Sequence, residues 1–237
     1  MAELTEKNTA EKAVKQQPIQ SNKTGMSTEE IIEKYKTPVL AGLGIVVALI
    51  AAFVFYKYNQ TQQNTTAQEE MKTAVFYFEQ DSFALALKGN EAKEIRGLQE
   101  IADEYSGTPA GKLAAFYTGI SYLKLAKYQE AIDYLDKYES SDGIMQARSW
   151  AAIGDAYSDL KDVENSIKYY KKASEHKPNE QLTPSYLMKL GLAYELNKDW
   201  KAAAEAYDVI ITDFPKSQDV ADAKKYKAKA QALSASE

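Results

Sequence analysis

Three glycines set the terms for the C-terminal half of this chain. Gly119, Gly154 and Gly191 lie 35 and 37 residues apart, and a tyrosine follows each by three positions: Tyr122, Tyr157 and Tyr194. Other residues keep step. Ala131 and Leu135 come after the first glycine, and Ser166, Tyr170, Ala173 and Pro178 after the second, which Trp150 precedes. Leu187 and Leu190 lead into the third, and Ala203, Tyr207, Ile210 and Pro215 follow it. A chain that repeats itself at this period folds as stacked supersecondary units, because one unit alone cannot bury its apolar face. The small positions let the two helices of a unit approach closely. The large ones fill the gap to the next unit, and proline stops the second helix. With only 11 glycines and 6 prolines and abundant alanine, helix is favoured over turn-rich sheet.

This spacing resembles the tetratricopeptide repeat (TPR), whose pattern is W-x2-L-G-x2-Y, then A-x3-F, then P, over about 34 residues. The second and third units match it well, and the first lacks the Trp, Leu and Pro. The resemblance implies an all-α fold, a TPR-type α-solenoid of about three to four helix pairs over residues 67–237. A divergent unit is expected first. Residues 67–79 form a helix candidate with Met71, Val75 and Phe78 on one face. Glu94–Tyr105 parallels Ala203–Phe214, pairing Leu98 with Tyr207, Ile101 with Ile210 and Tyr105 with Phe214. Between them, Asp81–Asn90 exceeds a TPR turn and has room for a short extra helix. Asp219–Leu233, polar and rich in Lys and Ala, reads as the helix that closes the solenoid.

Residues 39–55 (VLAGLGIVVALIAAFVF) carry no charge. At about 1.5 Å per residue this run and its flanks can cross a hydrocarbon core of roughly 30 Å. Lys34, Tyr35 and Lys36 precede it, and Tyr56, Lys57 and Tyr58 follow it, as suits two headgroup zones. We therefore expect a juxtamembrane and transmembrane helix over 28–58, with the span at about 39–56. Ser27 with Glu30 makes a capping box at its start, and Pro38 sits at the membrane entry. The polar residues 1–27 read as a disordered tail, and 59–66 as a polar stalk or a polar extension of the helix. The residues before the apolar run are too many and too acidic for a signal-peptide n-region, which points to a retained signal-anchor. Lys23, Lys34 and Lys36 against Lys57 and Lys72 point the N-terminus to the cytoplasm. Gly44, Ala48 and Ala52 recur every four residues, a stripe that permits close packing of membrane helices. Asn59 and Asn64 stand in N-x-T triplets.

TPR resemblance also implies a concave surface made mainly by the first helix of each pair. Its register puts Leu113, Phe116, Ile120, Leu123 and Lys124 there from the first clear unit. The second contributes Arg148, Ala151, Asp155, Ser158 and Asp159, and the third Ser185, Met188, Leu192, Glu195 and Leu196. The surface is expected to be apolar at two sites with a charged middle, suited to extended or amphipathic segments. Asp155 and Asp159 stand where co-chaperone TPR domains bind a C-terminal carboxylate, and would repel one.

No cofactor is implied, and the chain does not read as an enzyme. The one histidine, His176, falls near a helix end, and no H-E-x-x-H, G-x-S-x-G, P-loop or Rossmann glycine pattern occurs. The absence of cysteine removes disulfides, Cys-based zinc sites and thiol chemistry. A net charge of -5, spread along the chain, argues against nucleic acid. In layout the chain resembles the YfgM-type ancillary subunits of the bacterial Sec translocon. That resemblance implies an inner-membrane protein with a periplasmic TPR domain, and SecYEG and a PpiD-like membrane-anchored chaperone as partners. An adaptor in another envelope assembly and a mitochondrial import receptor are the alternatives.

Overall fold

The repeat and the apolar run both become helix. The structure, a computed structural model, describes residues 25–236, so residues 1–24 of the expected tail lie outside it. The described residues fall into two units, one ending at Val54 and the other beginning at Phe55. Helix α1 (Thr28–Glu79) contributes to both.

In the first unit the capping box forms as its residue types require. Glu30 N donates to Ser27 Oγ at 3.2 Å, and Ser27 N donates to Glu30 Oε2 at 2.9 Å. Pro38 lies inside α1. Among the described residues α1 is the one helix long and apolar enough to cross a membrane, and none of its most apolar window is buried. Gly44, Ala48 and Ala52 are all exposed, and nothing lies within 4 Å of a Cβ built on Gly44.

In the second unit, residues 59–66 are the polar extension of the helix, lying within α1. Thr61, Thr65 and Thr66 bond back to carbonyls four residues earlier. Gln60 Nε2 donates to Gly107 O at 2.8 Å, and Asn64 Oδ1 accepts from Ala110 N at 2.8 Å. Asn64 thereby satisfies an orphan donor at the start of α4 (Pro109–Lys124), so its side chain is engaged.

Three helix pairs follow: α4 with α5 (Tyr128–Leu135), α6 (Gly143–Asp159) with α7 (Val163–Glu175), and α8 (Thr183–Leu196) with α9 (Trp200–Asp213). Helix α10 (Val220–Ser234) closes the array, its Ala223 and Ala230 packed in the same cluster as Tyr207 and Ile210. Inside each pair the glycine meets the large residue 16 positions on. A Cβ on Gly119 would stand 2.5 Å from Leu135, on Gly154 2.6 Å from Tyr170, and on Gly191 2.3 Å from Tyr207. The core is accordingly a series of clusters, each bridging neighbouring helices.

The turn between paired helices has one form. Ala126, Lys161 and Lys198, each seven residues past the repeat glycine, are left-handed. The next residue's N–H reaches back five positions, to the carbonyls of Tyr122, Tyr157 and Tyr194. This is the Schellman closure of a helix C-terminus. The same turn stands at the end of α1: Asp81 is left-handed, and Ser82 N donates to Tyr77 O at 2.9 Å. Counting back seven residues makes Ala74, fully buried, the counterpart of the repeat glycine.

That register assigns Asp81–Asn90. Its extra helix, α2 (Phe83–Lys88), is the beginning of the second helix of the divergent unit, with buried Ala86 in the position of Ala131, Ser166 and Ala203. A short excursion then leaves the helix: β1 (Gly89–Asn90), a 3-10 turn and β2 (Ile95–Arg96), paired antiparallel. Helix α3 (Leu98–Glu104) resumes, with Leu98 and Ile101 fully buried. Leu98, Ile101 and Tyr105 thus take core places as expected, but Ala86, not Glu94, matches Ala203. Gly97 is where the two halves meet, since a Cβ there would lie 2.0 Å from Leu87 O. Arg96 fastens the excursion by pairing with Glu70 of α1 and with Glu100 and Glu104 of α3.

Candidate functional site

A groove of about 540 Å³ runs across the second unit. Phe78 and Glu79 border it at the end of α1. Helix α4 contributes Phe116, Tyr117, Ile120, Leu123 and Lys124, and α6 contributes Met145, Arg148, Ala151, Ala152 and Asp155. Leu182 with Tyr186 and Lys189 of α8 forms the remaining wall.

Of the residues expected from the TPR register, the groove brings together Phe116, Ile120, Leu123, Lys124, Arg148, Ala151 and Asp155. Phe116 is only 6% exposed and packs on Tyr138 at 5.3 Å between ring centroids, so it is as much core as surface. Met188 packs against the C-terminal core cluster, while Leu192 and Leu196 are 42% and 65% exposed outside the groove. On α8 the groove uses Leu182, Tyr186 and Lys189, a face one turn-position away from the expected one. Its spacing of four and three residues is an ordinary helical stripe, and what selects it is tertiary: Tyr186 clusters with Ala147 and Ala151, and Lys189 pairs with Asp155.

Asp155 is not a bare carboxylate. Lys189 Nζ donates to both its oxygens, at 2.7 and 2.8 Å, and Tyr170 OH donates to Oδ1 at 2.8 Å. The repulsion of anions expected from Asp155 is cancelled by a lysine 34 residues away. Glu195 is held likewise, by Tyr207 OH and by Lys229, again 34 residues on. Asp103 takes Tyr134 OH and Lys137, the latter also 34 away. Burial first, then the adjacent carboxylate, pushes the Tyr170 and Tyr207 hydroxyls well above the usual tyrosine range. The same causes, with the hydrogen bond to Asp103, act on Tyr134.

His176 caps the end of α7 and sets its ring edge-on to Trp150 at 5.0 Å, a packing role. No group of acidic, histidine or cysteine side chains among the described residues could hold a metal. What the groove offers is apolar contact and hydrogen-bond donors, with one carboxylate, Glu79, at its α1 border, the chemistry of holding a protein segment.

The comparisons agree with this geometry. One family model described as Tetratricopeptide repeat matches residues 147–180, and another of the same description matches 113–141 and 185–217. No curated protein sequence matches. Among solved structures, the nearly identical TPR-like repeats of a Podosopora anserina protein named as a kinesin light chain resemble this chain with a TM-score of 0.53. Identity is 15%, over 73% of this chain and 89% of that one. The Q17M form of the same repeats gives a TM-score of 0.53 at 15% identity, covering 73% of this chain and 88% of its own. At that identity the likeness speaks for the fold alone. The repeats at residues 113–141, 147–180 and 185–217 are tetratricopeptide repeats, and the chain is an all-α TPR solenoid with one long apolar helix near its N-terminus.

Proposed function

We propose that this chain is a membrane-anchored scaffold, an ancillary subunit of the Sec translocon whose TPR domain works on the extracytoplasmic face of a bacterial inner membrane. One observation carries the reading: the same chain holds an apolar helical stretch of spanning length with none of its residues buried and a repeat array with an open groove. A helical stretch apolar on all sides and covered by no protein is matched to lipid. Anchoring raises the effective concentration of the groove toward partners in the same membrane. Lys34 and Lys36 before the apolar run support a cytoplasmic N-terminus. In layout the chain resembles the YfgM type, whose partners are SecYEG and the PpiD chaperone. The groove then recruits such a chaperone to chains leaving the channel.

Affinity purification of the full chain in mild detergent tests this. SecY recovered together with a PpiD-like prolyl isomerase is the expected result. Cell-wall or outer-membrane assembly factors without SecY would place the scaffold in a different envelope machine. Protease added to sealed spheroplasts should digest the chain beyond Tyr58, and full protection there would refute the topology.

A further inference from the structure

Three tyrosine hydroxyls of the repeat array are met by carboxylates. Tyr134 donates to Asp103, Tyr170 to Asp155 and Tyr207 to Glu195. Tyr186 does not. It lines the groove from α8 and is 5% exposed, yet its hydroxyl has no hydrogen-bond partner among the described residues. A buried hydroxyl left unpaired is unfavourable, and an acceptor delivered into the groove would remove that cost.

The surroundings say what kind of acceptor. Arg148 of α6 lines the same groove, is exposed, and has no ion-pair partner among the described residues. It lies near enough to Tyr186 to act on its hydroxyl, lowering a pKa that burial raises. The neighbouring acid, Asp155, is already occupied by Lys189 and Tyr170 and turns no free carboxylate toward a ligand. At this end of the groove the unengaged groups are therefore donors, one of them cationic. Toward α4 the wall is largely apolar, with Ile120 and Leu123 facing the same space as Met145 of α6, and its charged groups, Lys124 and Glu79, lie at that border.

We infer that the groove binds an extended protein segment in which a Glu or Asp side chain stands beside large apolar residues, its carboxylate accepting from Tyr186 OH and the Arg148 guanidinium. This rests on the groove being the scaffold's binding surface. Apolar residues of the segment fill the α4 side, and the carboxylate gives register and selectivity.

The test uses the full chain in phosphatidylcholine nanodiscs. The probes are two fluorescein-labelled peptides, blocked at both termini, with leucine and phenylalanine around a central glutamate or, in the second, glutamine. Blocking the termini leaves the side chain as the one carboxylate. The glutamate peptide should bind roughly tenfold tighter, as a charge-assisted hydrogen bond implies. Tyr186→Phe and Arg148→Gln should each bring the two affinities close together. Tyr186→Phe should also leave Tm unchanged or raised, since it deletes an unpaired hydroxyl and nothing else. Discrimination that survives Tyr186→Phe overturns the inference. Equal binding of both peptides, weakened by Ile120→Asp, overturns it too but leaves the groove as a binding surface. Absence of binding by either peptide overturns both.

Discussion

At the scale of single residues, the protein is built on glycines that leave room for one particular neighbour. Gly154 faces the Tyr170 ring, which is 4% exposed and fixed to Asp155 through its hydroxyl. A ring so held cannot swing away from an added Cβ at 2.6 Å. Gly154→Ala should gain about 1 kcal/mol from helix propensity and lose more to overpacking. The expected net result is a loss of roughly 1–2 kcal/mol in urea unfolding. Gly107→Ala, where nothing lies within 4 Å, is the control and should fall within about 0.5 kcal/mol of the parent. The glycine's role was legible in the sequence, because its spacing to Tyr170 spans two adjacent helices. The roles of Tyr186 and Lys189 were not, because nothing in their own helix distinguishes them from Ser185 and Met188.

At the scale of elements, the divergent first unit shows how an insertion hides a repeat. The turn after α1 keeps the same left-handed residue and the same back-bond as the other three. The second helix then starts on time with α2 and is interrupted by Gly89–Arg96. Aligning Glu94–Tyr105 as one ungapped stretch recovered the later half, since helical periodicity is local. It missed Ala86, since the interruption shifts the count. Excising Gly89–Arg96 together with Gly97→Ala should join α2 to α3 as a single helix. The far-UV helical signal should be kept and unfolding should stay cooperative, with roughly 1–2 kcal/mol lost as the Arg96 pairs disappear. Collapse of the first unit would show that the excursion is required for folding rather than accommodated.

At the scale of the whole molecule, the acid–tyrosine–lysine sets tie one unit to the next. Asp103 with Lys137, Asp155 with Lys189 and Glu195 with Lys229 all span 34 residues, one repeat. They predict an alkaline weakness. Tyr134, Tyr170 and Tyr207 hold their protons more tightly folded than unfolded. Their contribution is therefore complete below the unfolded pKa of about 10 and declines as pH rises above it. Tm should be flat from about pH 8 to 9.5 and fall beyond, and Tyr170→Phe should make that fall shallower. An unchanged slope in the variant would remove Tyr170 from the account. By itself the sequence determined the helical class and the apolar run, because each depends on spacings within one helix, and the repeat length, because the same residue types recur along the chain at a fixed period. Tertiary structure alone decided that Leu182, Tyr186 and Lys189 of α8 wall the groove, and that Asp155 enters it neutralised. Both follow from side chains that α8 sends to α6, Tyr186 against Ala147 and Ala151 and Lys189 onto Asp155, and those contacts join residues about a full repeat apart, beyond the reach of any local pattern.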